Sequence, residues 1–166
     1  MSQDLLNKIQ EQLNAKFPGA LETAELPFDF VTFTINKDHT HDVLSFLKTD
    51  PELNFHFLTD LTGMQTADEK HLGVIYHLHN MYKNYRVRIK SFFPMDKPEI
   101  PTATDLWPAA NWMERETYDF YGIRFKGHPN LKRILNVDEM DIFPMRKEYP
   151  LEDQSRDDKS DKMFGR

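Results

Sequence analysis

Between Glu114 and Lys147 this chain gathers most of the side chains that could do chemistry. Glu114, Arg115, Glu116 and Asp119 fall within two helical turns, Gly122 and Gly127 bracket a short loop that runs into His128-Pro129, and basic pairs follow at Lys132-Arg133 and Arg146-Lys147. An acid/base reading would set Glu114 against Glu116, but such catalysis needs a cleft and two surroundings that push the pKa values apart. Successive helical residues diverge by roughly 100°, so the two carboxylates are carried to different sides. The spacing instead predicts an ion-pair network. Arg115 and Asp119 stand at i,i+4 and Glu116 and Asp119 at i,i+3, so a guanidinium would lie between carboxylates in a solvated or interface cluster.

The other candidates are weaker. The glycines of the Gly122–Gly127 loop resemble a phosphate cradle, yet such a loop follows its second glycine with Lys and Ser/Thr, whereas His128-Pro129 follow here. No G-x-G-x-x-G occurs, so nucleotide or flavin binding by the usual route is unsupported. Gly122 is expected to end a helix and Gly127 to permit a tight turn. His39 with His41, and His77 with His79, form H-x-H pairs that could contribute to a metal site, but two imidazoles leave a coordination sphere incomplete. His77 and His79 read as the polar face of a strand whose other face carries Tyr76 and Leu78. Trp107, Trp112, Tyr118 and Phe120 read as core or interface anchors rather than as a stacking platform.

The elements that must position these residues can be read from periodicity. Leu5, Leu6, Ile9, Leu13 and Phe17 recur at helical spacing until Pro18-Gly19, predicting an amphipathic first helix. From Leu26 to Ile35 the period falls to two, with Val31, Phe33 and Ile35 on one face of a first strand. Asp38 or Thr40 can cap a second helix carrying Val43, Leu44 and Leu47, closed by Pro51 before a strand around Phe55 to Leu58. His71–His79 and Tyr85–Phe93 read as a hairpin turned through Asn80 and Asn84. A short helical stretch near Thr104–Trp107 and a firmer helix from Asn111 to Tyr121 complete an α+β fold: an antiparallel or mixed sheet flanked by helices. Residues 1–135 are expected to form the core domain, and 136–166 an extended partner-wrapping segment ending in a charged tail after Pro150.

Composition narrows the function classes. At 166 residues the chain is sized for one domain, and its 39% hydrophobic and 13% aromatic content is enough to build a core. A net charge of −6 argues against nucleic-acid binding, which draws on uncompensated Lys and Arg. The chain has no cysteine, so thiolate-held iron–sulfur clusters, zinc ribbons, thiol nucleophiles and disulfides cannot be supplied from it. No apolar run approaches the roughly 18 residues of a spanning helix, and the N-terminus lacks the basic region and cleavage site of a signal peptide. The expected location is the cytosol or the cytosolic face of a membrane.

Taken together, Trp107-Pro108, Ala110, Trp112, Glu114-Arg115-Glu116, Asp119, Gly122, Phe125, Gly127-His128-Pro129 and Arg133-Ile134-Leu135 closely resemble the signature of the 30 kDa, or C, subunit family of NADH:quinone oxidoreductase, respiratory complex I. The likeness is strongest from Trp107 to Arg133, with a weaker part from the FLTDLTG stretch to IYHL. Further on the family usually shows His-Pro-Leu-Arg-Lys-Asp, where this chain has Phe143-Pro144-Met145-Arg146-Lys147-Glu148. The resemblance implies a structural subunit of the hydrophilic arm that carries no cofactor itself. The FMN, iron–sulfur clusters, NADH and quinone would belong to the assembled complex. It also implies contact with the D subunit and the neighbouring B and I subunits, peripherally on the cytoplasmic face of the bacterial cell membrane, with membrane association only through the complex. Other readings are the equivalent subunit of a group-4 hydrogenase-like or ferredoxin-dependent complex, a stand-alone hydrolase or transferase using Glu114, Glu116, Asp119 and His128, or a small non-respiratory adaptor.

Overall fold

Alternation in the hairpin sequence decides the architecture. Leu72, Val74, Tyr76 and Leu78 of strand β4 (His71–Asn80) stand opposite Phe93, Ser91, Ile89 and Val87 of β5 (Tyr85–Pro94), and all eight are buried. The alternate residues face outward, where His77 lies across from Arg88 and His79 from Arg86. This computed structural model describes residues 2–149. The charged tail expected after Pro150 lies outside the described residues.

Around the hairpin a five-stranded mixed sheet runs in the order β1-β2-β5-β4-β3. β1 (Leu21–Glu25) pairs antiparallel with β2 (Thr32–Ile35), β2 runs parallel to β5, and β3 (Phe57–Gln65) closes the far edge antiparallel to β4. Helices α1 (Ser2–Lys16), α2 (Thr40–Thr49) and α3 (Ala110–Tyr121) share one apolar cluster with the sheet's buried face: Ile9 and Leu13 from α1, Val43, Leu44 and Leu47 from α2, and Phe33, Ile35, Tyr76 and Ile89 from the strands. The Thr40 hydroxyl donates to Ser91 Oγ at 3.0 Å, satisfying both buried hydroxyls where α2 meets β5.

Several boundaries differ from the expectation. The single strand predicted over 26–35 is broken by a 3-10 turn at Pro27–Asp29, where Phe28 and Asp29 take positive φ, and a separate β1 precedes it. β3 extends well past Leu58 with a bulge between Leu58 and Asp60, and the stretch near Thr104–Trp107 makes only a single turn, with Trp107 N–H donating to the Ala103 carbonyl. The hairpin turn matches. Asn80 Oδ1 accepts the N–H groups of Tyr82 and Lys83 at 3.0 Å each, its amide donates to the Leu53 carbonyl at 2.7 Å, and Asn84 takes a φ of 53°.

Two features seat α3. A short parallel pair, β6 (Glu99–Pro101) and β7 (Arg124–Lys126), carries the chain past the end of the helix, and Thr102 N–H donates to the Lys126 carbonyl. On the other side α3 packs against β3 at Gly63, where an added Cβ would lie 2.7 Å from Tyr121 Cδ2 and 2.9 Å from Thr117 Cγ2. Gly63→Ala is therefore expected to push α3 off the sheet and lower stability by about 1–3 kcal/mol in urea unfolding. Unchanged stability would show that the crossing can relax.

Candidate functional site

Helix α3 holds four charged side chains of the signature, Glu114, Arg115, Glu116 and Asp119, in different surroundings. Glu114 and Asp119 are fully buried, Arg115 nearly so, and Glu116 is exposed. Glu114 Oε1 accepts the Ala103 N–H at 2.6 Å and Oε2 lies 2.6 Å from the Thr102 hydroxyl, which in turn meets Thr104 Oγ1. Burial pushes this carboxyl up from 4.5 to about 7, against the opposing pull of those two hydrogen bonds. In the contact with Thr102 the hydroxyl donates to Oε2, and protonation of Glu114 would reverse the direction. The Tyr76 hydroxyl is buried without a hydrogen-bond partner, and burial, with Glu114 adding to it, raises its pKa well above 10.0.

Asp119 has the opposite environment. Its Oδ2 accepts three consecutive backbone N–H groups, from Ile134 at 3.1 Å, Leu135 at 2.8 Å and Asn136 at 2.9 Å, while Oδ1 takes the Arg133 guanidinium at 2.7 Å. Burial alone would raise its pKa, but the N–H groups of Asn136 and Leu135, with Arg133, outweigh that and hold the carboxyl well below the usual carboxylate range. Arg133 also donates to the carbonyls of Asp119, Met140 and Ile142. One ion pair thus fastens the segment after the His-Pro loop along α3.

The predicted network is therefore wired differently. Arg115 does not lie between carboxylates: its Nε donates to the Lys132 carbonyl at 3.2 Å, its Nη2 to the Arg133 carbonyl at 3.0 Å, and its guanidinium stacks 5.2 Å from the exposed Trp112 ring. Helical spacing accounts only for neighbours on the helix, whereas the returning chain supplies a better-placed cation for Asp119. The cluster is not solvated either, since Asp119 has no exposed surface.

The loop is held by its own histidine. His128 Nδ1 accepts the Asn130 N–H at 3.0 Å, which leaves Nε2 to donate to the Asn111 carbonyl at 3.1 Å, so a neutral imidazole ties the Gly127–Pro129 turn to the start of α3. Gly127 takes a φ of 85° and Gly122 a φ of 73°, the left-handed stop its position predicts. A Cβ at Gly122 would also lie 2.6 Å from the Phe143 ring and 2.7 Å from Arg146 Nη2. Phe143 receives the guanidinium of Arg133 at 5.2 Å and that of Arg146 at 4.7 Å, with Tyr118 edge-on.

Arg146 Nε further donates to the Tyr121 carbonyl at 2.8 Å, and Lys147 reaches Gln65 and the Thr66 carbonyl. Phe143, Arg146 and Lys147 are thus engaged by their own chain. Trp107 and Phe125 are core residues, the indole N–H donating to the His56 carbonyl at 3.2 Å, while Pro129 is exposed.

Among the described residues no three His, Cys, Asp or Glu side chains stand where they could hold a metal ion. His77 and His79 lie opposite the buried Tyr76 and Leu78 as predicted. His77 accepts Arg88 Nε at 2.8 Å and lies 3.8 Å from Asp60, and burial, then Arg88, lowers its pKa. His41 pairs with Asp105 at 2.9 Å. Local spacing did not reveal Thr102 and Ala103, the partners of Glu114, nor Gly63, because their role arises only where distant segments cross.

Known proteins share this sequence pattern and fold. The family described as the respiratory-chain NADH dehydrogenase 30 Kd subunit matches residues 33–155. The C subunit of NADH-quinone oxidoreductase from Citrifermentans bemidjiense is 38% identical over 152 residues, covering 91% of this chain and 93% of that one. Its counterpart from Roseiflexus sp. is 39% identical over 145 residues, covering 86% and 83%. Among solved structures, a chain of the membrane-bound sulfane sulfur reductase, an archaeal respiratory membrane complex, superposes with a TM-score of 0.73 at 27% identity, covering 87% of this chain and 85% of its own. A trypsin-resistant fragment of Nqo5 does so with a TM-score of 0.64 at 26% identity, covering 79% and 100%. With a family match that spans most of its length and relatives at 38% and 39% identity covered to 93% and 83% of their own length, this protein belongs to the 30 kDa, or C, subunit family of NADH-quinone oxidoreductase.

Proposed function

We propose that this chain is a cofactor-free structural subunit of the hydrophilic arm of an NADH:quinone oxidoreductase, where it supports electron transfer from NADH to quinone coupled to proton translocation. The observation that carries this reading is where the signature side chains end. Arg115, Asp119, His128 and Arg133 bind backbone groups of their own chain, tying the returning segment along α3. That is the work of a scaffold. With no cysteine in the chain, thiolate-bound iron–sulfur clusters would sit on other subunits, as would FMN and the NADH and quinone sites.

Its proposed neighbours are the D subunit and, beyond it, B and I. The exposed apolar side chains Trp112, Leu135, Val137 and Met145 offer contact surface on α3 and the residues that follow it, and residues 136–166 are proposed to contribute to that contact. No helix among the described residues is long and apolar enough to cross a membrane, in keeping with peripheral attachment through the complex, proposed to be on the cytoplasmic face. The likeness to a chain of another respiratory membrane complex supports a second, weaker reading, the equivalent subunit of a group-4 hydrogenase-like or ferredoxin-dependent complex.

Deleting the chain from its source and assaying membranes with each donor tests both. NADH-driven quinone reduction should disappear together with the assembled arm and return when the chain is restored. Loss of ferredoxin-driven reduction alone would favour the second reading. Turnover of NADH or quinone by the isolated chain would overturn the scaffold assignment.

A further inference from the structure

One signature carboxylate remains unexplained by the internal wiring. Among the described residues Glu116 has neither a hydrogen bond nor an ion pair, although Glu114 and Asp119 on the same helix are fully partnered. It sits at the middle of a ridge, Trp112–Glu116–Phe120, exposed at its first two members and half-buried at the third, whose i,i+4 spacing lines the three along one side of α3. Next to the ridge a groove of about 260 Å³ is lined by Glu116, Phe120, Tyr121, Thr62, Gly63 and Met145. That is below the roughly 300–1,000 Å³ of small-molecule sites, so it suits a side chain or two better than a cofactor. Met145, which lines the groove, is 52% exposed, and Trp112, one helical turn before Glu116 on the ridge, is 62% exposed.

Resting on the subunit reading above, we infer that the Trp112–Glu116–Phe120 ridge and its groove are the docking site for a segment of another subunit of the complex that presents a Lys or Arg beside an aliphatic side chain. Charge complementarity fixes the occupant. A lone carboxylate set among the aromatic and thioether groups of the groove gains from a partner cation that these groups would desolvate, and Trp112 on the same ridge can flank that cation's stem as it already flanks Arg115. A second copy fits poorly. Two-fold pairing of α3 against α3 would bring two Glu116 carboxylates together across the axis. The internal ties of Arg115, Asp119 and Arg133 then have a purpose, because they hold the ridge rigid before the partner arrives.

The test uses the whole complex, assembled with the full chain. Trp112 is replaced by photoreactive benzoylphenylalanine, the assembled complex is irradiated, and the adduct is located by mass spectrometry. The expected adduct lies on another subunit, within a few residues of a Lys or Arg. In parallel, Glu116→Lys should leave the thermal midpoint of the isolated chain unchanged, since no intrachain partner is lost, and reduce the yield of assembled complex roughly tenfold or more. Glu116→Asp should restore most of that yield.

An adduct on this chain's own residues 150–166, on a second copy, or on nothing would overturn the inference. So would normal assembly with Glu116→Lys. In each of these cases a wild-type chain that still co-purifies with the complex keeps the subunit reading intact, whereas a wild-type chain that fails to co-purify sinks both.

Discussion

Replacing Asp119 with alanine is expected to lower unfolding free energy by about 3–5 kcal/mol, among the largest losses from any single substitution in this chain. The carboxylate has no exposed surface, and the side chain of its partner Arg133 is only 9% exposed. Removal strands the guanidinium on carbonyls and frees three consecutive N–H groups, at Ile134, Leu135 and Asn136, from their shared acceptor. Asp119→Asn should fall between wild type and Asp119→Ala, because an amide oxygen can still accept one or two of the N–H bonds but cannot neutralise Arg133. Urea denaturation checks both.

The pH dependence of the same pair has a definite sign. Folding holds Asp119 below its ordinary value of 3.8, so the unfolded chain binds the proton first as pH falls. The contribution is complete above that value and is lost as pH drops through the folded pKa, so Asp119→Ala should have the flatter acid limb. A loss under about 1 kcal/mol, with an acid limb like wild type, would mean that the 133–136 segment does not depend on this clamp.

Asp119 also shows which features the sequence could disclose. The first helix was legible because Leu5, Leu6, Ile9 and Leu13 recur on one face, and the hairpin because apolar residues alternate on both arms. β1 was not, since Leu-Glu-Thr-Ala-Glu has no sustained alternation, and β3 was cut short because Thr-Asp-Leu-Thr-Gly-Met-Gln alternates weakly on an edge strand with one wet face. β6 and β7, three residues each, are too short to show a period. At the site, family likeness named Asp119 and Arg133 together. Their pairing stayed hidden because Arg133 follows fourteen residues later, while Arg115 sits nearby at i,i+4. Glu114 escaped for a related reason. Its partners come from Thr102 and Ala103, beyond the reach of any helical rule.

Glu114→Gln should behave in a way that few buried substitutions do, with little effect in mild acid and stabilisation in mild alkali. The wild-type carboxyl is fully buried, has no cation beside it, and is pushed from 4.5 to about 7 chiefly by that burial, with Asp105 adding to it. Below pH 4.5 both folded and unfolded chains hold the proton, so the group makes no difference to stability. Between 4.5 and about 7 the unfolded chain loses its proton first, and each pH step favours unfolding until the folded carboxyl also ionises. The full interval corresponds to on the order of 3 kcal/mol. Glutamine mimics the protonated acid: its oxygen can accept the Ala103 N–H while its amide donates to Thr102 Oγ1. The variant should therefore lie within about 1 kcal/mol of wild type at about pH 5 and exceed it by up to about 3 kcal/mol at about pH 8. Taking the difference between the two proteins at each pH cancels the titration of the histidines. If Glu114→Gln instead loses stability equally at both pH values, the carboxyl is ionised in the fold and its ties to Thr102 and Ala103 are those of an anion.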